Sequence, residues 1–180
     1  MRKVQFIFLI LLSFSISFGA EGNSPVKHNG FSLTSIDKQI HYTNQGYELN
    51  QVVHNGVSYT KLEMNVEGAT VEPGQPHLPT VSTFYAVEPG KNFSVQTIIE
   101  QTQTYENIDI LPFQSWDNEP TGSIEEGETY NQNQFFPDKI ATISEPIVFR
   151  DITMVQVSIT PFQYNPVTQT LVAIQDMEIE

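Results

Sequence analysis

The chain has 180 residues, with 21 acidic side chains against 8 basic ones, a net charge of −13 and no cysteine. The lack of cysteine excludes a thiol nucleophile, a zinc–thiolate site and an iron–sulfur cluster within this chain. The negative charge makes nucleic acid and membrane surfaces poor partners, although the same acidity can also serve only to keep an exported domain soluble.

Residues 1–19 are predicted to be an export signal. Arg2 and Lys3 precede an apolar run that ends at Phe18, and the small residues Ser17 and Gly19 favour cleavage after Gly19. The run is too short and too rich in serine for a stable membrane span, the alternatives being an uncleaved anchor or a buried helix. Cleavage leaves a net charge of about −15, because two of the basic residues are removed. We expect residues 20–30 to be a disordered N-terminal segment and residues 31–180 to form one domain.

The first predicted elements are weak strands at 31–36 and 39–42, followed by a β-hairpin over residues 47–64. The hairpin prediction rests on Asn55-Gly56, because this pair readily adopts the positive φ angles of a type I′ turn. The stretch 72–79 contains three prolines, which remove backbone donors and favour an extended crossing over a helix. Further strands are predicted at 81–87, 93–99 and 103–111.

Residues 112–137 form a long segment that carries acidic residues and the aromatic residues Trp116, Tyr130, Phe135 and Phe136. These aromatic side chains either fasten the segment to the core or face a protein partner. Glu125, Glu126 and Glu128 could bind calcium, but no Asp-x-Asp-x-Asp-Gly frame is present, so a solvated acidic loop is the favoured interpretation.

The last block gives the clearest strand pattern. Residues 154–159 alternate, residues 161–166 lead into a turn, and residues 171–179 form the partner strand. Because the alternation is still running at Glu180, we expect the chain to be truncated at its C-terminal strand, as the front of a longer polypeptide. Many short strands with Gly, Pro and Asn turns predict an all-β fold, a two-layer antiparallel β-sandwich.

We find no residues that would form an enzyme's active site. The four histidines, His28, His41, His54 and His77, form no His-x-x-x-His pair, and we expect them at the surface or in turns. There is no Gly-x-Ser-x-Gly elbow and no Gly-rich loop of the phosphate-binding kind. The sequence therefore predicts no catalytic residue, no cofactor and no metal site, and a function exerted by contact with another protein surface.

Two motifs resemble the N-terminal propeptide of gingipain-type cysteine peptidases. The first is Gly74-Gln75-Pro76-His77-Leu78-Pro79, and the second is Phe149-Arg150 with Pro161-Phe162-Gln163-Tyr164-Asn165-Pro166. The resemblance spans residues 31–180.

The resemblance implies a jelly-roll-like β-sandwich that precedes a caspase-like catalytic domain, helps that domain to fold, covers its active-site cleft as a tethered inhibitor, and is cut away later. It also implies type IX secretion through the periplasm to the cell surface or the medium, a monomer, and a peptidase partner in cis. The positions expected to serve the fold are Gly74, Pro76, Leu78, Pro79, Arg150, Pro161, Tyr164, Asn165 and Pro166.

The region expected to touch the peptidase is 116–139, with Trp116, Tyr130, Phe135, Phe136 and Lys139 as the contact residues. Arg- or Lys-specific relatives are expected to place a basic residue there, yet none occurs between Lys91 and Lys139. Either Lys139 lies at the edge of the contact, or the partner enzyme prefers another residue. Arg150 is expected to serve the fold on a strand. The competing hypotheses are a secreted carbohydrate- or protein-binding module and a stand-alone inhibitor, which the downstream coding sequence would distinguish.

Overall fold

The computed structural model describes residues 26–28, 30–36, 39–66, 68–115 and 124–180. The predicted export signal and Trp116 lie outside these residues. Within them no helix has the length and apolar character needed to cross a lipid bilayer. The strands are β1 Val26–His28, β2 Phe31–Ile36, β3 Gln39–Asn44, β4 Glu48–His54, β5 Val57–Glu63, β6 Gly68–Ala69, β7 Pro79–Ala86, β8 Thr97–Tyr105, β9 Ala141–Ile143, β10 Ile147–Phe149, β11 Ile152–Ile159, β12 Phe162–Asn165 and β13 Thr170–Ile179. A 3-10 helix covers Glu128–Asn131.

The larger sheet is built around the last strand, β13. Strand β8 pairs antiparallel along one side of β13, while β12 and then β3 share its other side. Strands β2 and β1 extend the sheet outward from β3. β13 therefore holds together parts of the chain that are far apart in sequence.

The smaller sheet is built around β11 in the same way. Strand β7 pairs along one side of β11, and the short strands β10 and β9 share the other side. Strand β6 pairs with the start of β7. All these pairings are antiparallel, and the predicted all-β sandwich is confirmed.

The core consists of two packed clusters. The first lies between the two sheets and joins Tyr42 and Met177 of the large sheet to Val157 and Ile159 of the small one. The second lies under the β4–β5 hairpin and contains Leu62, Leu78, Ile110, Phe162, Tyr164, Leu171 and Ala173. The aromatic members of the second cluster come from β12, next to the long segment after residue 112.

The β4–β5 hairpin confirms the turn prediction, because Asn55 and Gly56 both have positive φ, 51° and 82°. The observed strands differ from the predicted ones in three places. Strand β8 begins only at Thr97 and ends at Tyr105, so residues 93–96 and 106–111 are not strand. Within the segment 20–30, whose disorder stays a prediction, residues 26–28 pair with β2 and form β1. Strands β9 and β10 were not predicted, since each has only three residues.

Candidate partner-contact surface

The proline-rich crossing begins with a turn at Gly74. Gly74 has φ 79°, a value that L-residues rarely adopt, and its N–H donates to the Phe113 carbonyl at 2.8 Å. The crossing then runs beside residues 111–113, where the Phe113 N–H donates to the Gln75 carbonyl at 2.8 Å. Pro76 and Leu78 are buried, and Pro79 opens β7. The structure thus places the four positions of the first motif that we expected to serve the fold in one ordered crossing that contains no helix.

Donors and acceptors of the crossing are satisfied locally. The Thr70 hydroxyl donates to the Pro76 carbonyl at 2.6 Å and accepts the Leu78 N–H at 2.8 Å. The His77 ring lies 5.4 Å from that of Phe113. Burial, with a smaller effect of Lys61, lowers the pKa of His77. His77 is therefore half-buried and packed in the crossing, not a free surface histidine.

The segment that follows residue 123 docks onto this crossing through two glycines. The Gly127 N–H donates to the Gly74 carbonyl at 2.8 Å, and a Cβ added at Gly74 would lie 2.7 Å from that nitrogen. The Thr129 hydroxyl donates to the Gln75 side-chain oxygen. Because the two backbones are in direct contact, neither position has room for a side chain.

The Gln114 side chain ties the two flanks of residues 115–124 together. Its amide nitrogen donates to the Glu125 carbonyl, and its amide oxygen accepts the Glu125 N–H, both at 3.0 Å. These two bonds hold Gln114 and Glu125 side by side.

Tyr130 anchors the same segment in the second core cluster. Its hydroxyl donates to the Ile110 carbonyl at 2.7 Å, and its ring lies 6.2 Å from the Tyr164 ring. The Tyr164 hydroxyl donates in turn to the Ile108 carbonyl at 3.0 Å. Burial raises the pKa of both tyrosines well above the ordinary value, so both stay neutral hydrogen-bond donors.

A small acidic group lies beside these tyrosines. The Tyr59 hydroxyl donates to a Glu126 carboxylate oxygen at 3.2 Å, and Asp109 Oδ1 lies 3.5 Å from the Tyr164 hydroxyl. Burial first, and then the charge of Glu126, raises the pKa of Asp109. The carboxylates here accept protein hydrogen bonds, so this group serves the packing of the segment.

Residues 133–137 cover the edge of β12. Phe136 and Tyr164 exchange two backbone hydrogen bonds of 2.8 Å, and the Phe136–Pro137 peptide bond is cis. The Asn165 amide donates to the Asn133 side-chain oxygen at 3.0 Å. Phe136 packs against the second core cluster, whereas Phe135 is 40% exposed. Lys139 is exposed as well.

The aromatic residues predicted to meet a partner thus divide into two sets. Tyr130 and Phe136 pack against the core, and Phe135 faces solvent together with residues 131–134. We call residues 131–135 the loop rim. It is an exposed part of the described segment and carries an exposed aromatic ring.

The second motif also lies in ordered structure. Pro161 is buried and its carbonyl accepts the Ile174 N–H at 2.9 Å. Asn165 Oδ1 accepts the N–H groups of Val167 and Thr168, at 3.2 and 3.3 Å, which forms the turn after β12. Tyr164 is fully buried, and Pro166 is buried at the start of this turn.

Arg150 does not lie on a strand, contrary to our expectation. It has φ 56° and occupies the exposed turn between β10 and β11, with its guanidinium 5.6 Å from the Phe149 ring centroid. Val148 is 69% exposed and Phe149 is 55% exposed. We call residues 147–151 the hairpin tip. Sequence reasoning missed this apolar surface because β10 is too short to show alternation.

Comparisons with known proteins agree with this geometry. Residues 32–180 match the family Propeptide_C25. Gingipain R1 of Porphyromonas gingivalis is 36% identical over 104 residues, which cover 56% of this chain and 10% of that protein. Gingipain R2 of the same species is 34% identical over 110 residues, covering 58% of this chain and 15% of that protein. The chain therefore spans only a small part of these relatives.

Two solved structures have the same fold. One is a complex of Porphyromonas gingivalis RgpB pro- and mature domains, with a TM-score of 0.73, 23% identity, and coverage of 85% of this chain and 83% of that one. The other comes from work on the zymogenic latency of gingipain K from Porphyromonas gingivalis, with a TM-score of 0.59, 18% identity, and coverage of 87% and 97%.

Proposed function

The chain belongs to the Propeptide_C25 family, and on this basis we propose that it is a tethered inhibitor and folding aid for a gingipain-type cysteine peptidase domain in the same polypeptide. The observation that carries the proposal is the family match over residues 32–180. The domain itself is not catalytic in this proposal and acts by covering the cleft of its partner.

Attachment to the partner makes weak contacts sufficient. A tethered domain meets its partner at an effective concentration of roughly millimolar, so modest affinity keeps the cleft covered while the linker is intact. Cutting the linker makes the inhibitor dilutable. A domain that binds only the native enzyme also stabilises that native state by mass action, which is the physical basis of a folding aid.

We place the first candidate contact in the segment 116–139, at the loop rim. The core-packed Tyr130 and Phe136 give this segment a rigid base, and a rigid base lowers the ordering cost of binding. Phe135 then presents an apolar ring flanked by amide side chains, a mixture common at recognition surfaces. Lys139 lies beyond the rim and supplies the single basic group of the segment.

The hairpin tip is the second candidate contact. It combines Val148, Phe149 and the guanidinium of Arg150 on an exposed turn, and exposed apolar patches mark interaction sites. The tip lies at the start of β11, whereas residues 140–143 lie beside its end. The two ends of this eight-residue strand lie about 23 Å apart. The loop rim and the hairpin tip share no residue, so substitutions can test the two surfaces separately.

The test is the titration of a gingipain-type catalytic domain with the purified chain. We expect inhibition, with an inhibition constant at or below the micromolar range. Removal of an interface hot spot raises that constant by about 30-fold or more. Phe135→Ala tests the loop rim and Phe149→Ala the hairpin tip. Phe93→Ala, at a residue 36% exposed outside both surfaces, is the matched control.

The outcomes separate the two contacts. A loss of inhibition with Phe135→Ala alone supports the loop rim, and a loss with Phe149→Ala alone supports the hairpin tip. The absence of any inhibition by micromolar chain would contradict the inhibitor proposal itself.

Export through the periplasm to the surface or medium, by the type IX route, is part of the same proposal. It rests on the signal pattern of residues 1–19. N-terminal sequencing of the exported protein should give Ala20 as the first residue. The domain is expected to be a monomer by light scattering, and a stable dimer would contradict this.

A further inference from the structure

Three potential metal ligands meet on the outer face of the large sheet. They are His41 of β3, Asp176 of β13 and Glu100 of β8, and one ligand atom from each lies within 4.8 Å of the other two. These three residues are distant along the chain, so their spacing in the sequence gives no sign of a pairing, and the sheet brings them together.

The topology explains the meeting point. β13 runs between β3 and β8. Tyr42, which follows His41, and Met177, which follows Asp176, are fully buried in the core. Because side chains alternate along a strand, His41 and Asp176 point away from the core. Both belong to the face that no other described strand layer covers.

A β-bulge adds the third residue. Asp176 pairs with Gln101 and the next residue, Met177, pairs with Ile99, so Glu100 is the extra residue on β8. Bulges redirect a side chain relative to the regular pleat and are common beside functional sites. Here the bulge lies directly opposite Asp176 and brings Glu100 to the same group.

Contacts within the group leave one oxygen unsatisfied. Asp176 Oδ1 lies 2.9 Å from His41 Nε2, yet this buried oxygen accepts no hydrogen bond of acceptable geometry from the described residues. The two atoms are close without the ring N–H pointing at the oxygen. The His41 and Asp176 side chains are 42% and 29% exposed as a whole, so the group lies at the surface although Oδ1 itself is covered. Two carboxylates held this close repel each other unless a cation lies between them.

We propose that His41, Glu100 and Asp176 form a binding site for a divalent transition-metal ion of the Zn²⁺ class. An imidazole together with carboxylates suits Zn²⁺, whereas Ca²⁺ and Mg²⁺ prefer oxygen ligands alone. Zn²⁺ with bonds of about 2.0–2.2 Å holds neighbouring ligand atoms roughly 3.3 Å apart, which a rotation of the exposed Glu100 side chain can provide. Three protein ligands leave a fourth position for water or for a ligand from another molecule.

Such an ion would link three strands of the large sheet. β3 and β8 flank β13 on opposite sides, so one ion bound to all three would resist their separation. A ligand that binds only the folded state raises its stability by mass action. The site does not depend on the proposed inhibitory function, and its test requires no peptidase.

The test is calorimetric titration of the purified, chelator-treated chain with ZnCl₂, with CaCl₂ as the comparison. We expect one Zn²⁺ per chain with a dissociation constant in the micromolar range or below, and much weaker binding of Ca²⁺. At a Zn²⁺ concentration about 100-fold above that constant, the melting temperature should rise by roughly 5–10 °C.

Two variants and their matched controls make the test specific. His41→Gln and Glu100→Gln should each weaken Zn²⁺ binding at least 10-fold, while His54→Gln and Glu145→Gln should leave it unchanged. Glu100 is exposed, so Glu100→Gln tests the site even if the histidine variant fails to fold. Absence of saturable binding at 100 μM ZnCl₂, or equal binding by all variants, would overturn the proposal and leave only nonspecific attraction to an acidic surface.

Discussion

Replacement of Gly74 by alanine tests whether the segment after residue 123 is held by the proline-rich crossing. Gly74 combines φ 79° with direct contact to the Gly127 backbone. The exposed Gly90 has nearly the same backbone angle, φ 74°, but an added Cβ there would meet nothing within 4 Å. Gly90→Ala therefore isolates the cost of the backbone conformation from the cost of the contact.

The magnitude follows from these two terms. A left-handed conformation costs an L-residue about 1–2 kcal/mol, and this applies to both variants. At Gly74 the new Cβ would lie 2.7 Å from the Gly127 nitrogen, so one backbone must move and the 2.8 Å hydrogen bond between the two glycines is lost. A buried donor or acceptor without a partner costs about 1–3 kcal/mol. We expect Gly74→Ala to lower the free energy of unfolding by about 2–5 kcal/mol, and Gly90→Ala by about 1–2 kcal/mol.

Urea unfolding followed by circular dichroism measures both losses on the same scale. Gly127 has φ −78°, so Gly127→Ala carries no cost of backbone conformation and should lose only the contact, about 1–3 kcal/mol, because its Cβ would lie 3.0 Å from the Gly74 carbonyl oxygen. If Gly74→Ala and Gly90→Ala were to lose equal stability, the contact between the segment and the crossing would contribute nothing, and the reasoning would be refuted.

Three further predictions concern buried polar groups. Tyr42→Phe should raise the free energy of unfolding by about 1 kcal/mol in urea titration, since the fully buried Tyr42 hydroxyl has no hydrogen-bond partner among the described residues. Tyr130→Phe should lower it by about 1–2 kcal/mol, because the Ile110 carbonyl loses its 2.7 Å donor, and an unchanged stability would argue against the anchor. The pKa of His77 is lowered in the folded state, so between that pKa and the ordinary 6.5 the unfolded chain binds the proton more tightly. The free energy of unfolding should therefore rise as the pH increases through this range, and His77→Gln should flatten the same part of a plot of melting temperature against pH.

The strands could be predicted where sequence pattern and local turn chemistry agree. Asn55-Gly56 fixed the β4–β5 hairpin, and the alternation in β11 and β13 matched their burial. Prediction failed where tertiary contacts decide the outcome. Phe93 and Val95 alternate like a strand, yet residues 91–96 are not strand, and of these described residues Gln96 alone exchanges backbone hydrogen bonds, with Glu180 just after β13.

The candidate surfaces were harder to predict than the fold. The position of the segment 116–139 followed from its composition, but not the division between the packed Phe136 and the exposed Phe135, which are adjacent and alike in sequence. The hairpin tip and the group around His41 depend on pairings between distant strands. A single sequence does not specify which strands become neighbours, so neither could be found before the sheet order was known.

The position of β13 at the centre of the large sheet has a consequence for the order of folding. Among the described residues, strands β1, β2 and β3 join the rest of the sheet only through β13, which spans residues 170–179. The N-terminal strands must therefore wait until nearly the whole domain has been synthesised, and at 5–20 residues per second this delay lasts roughly 7–30 s. Pairings this distant in sequence also make folding slow, because a long loop has to close before they form.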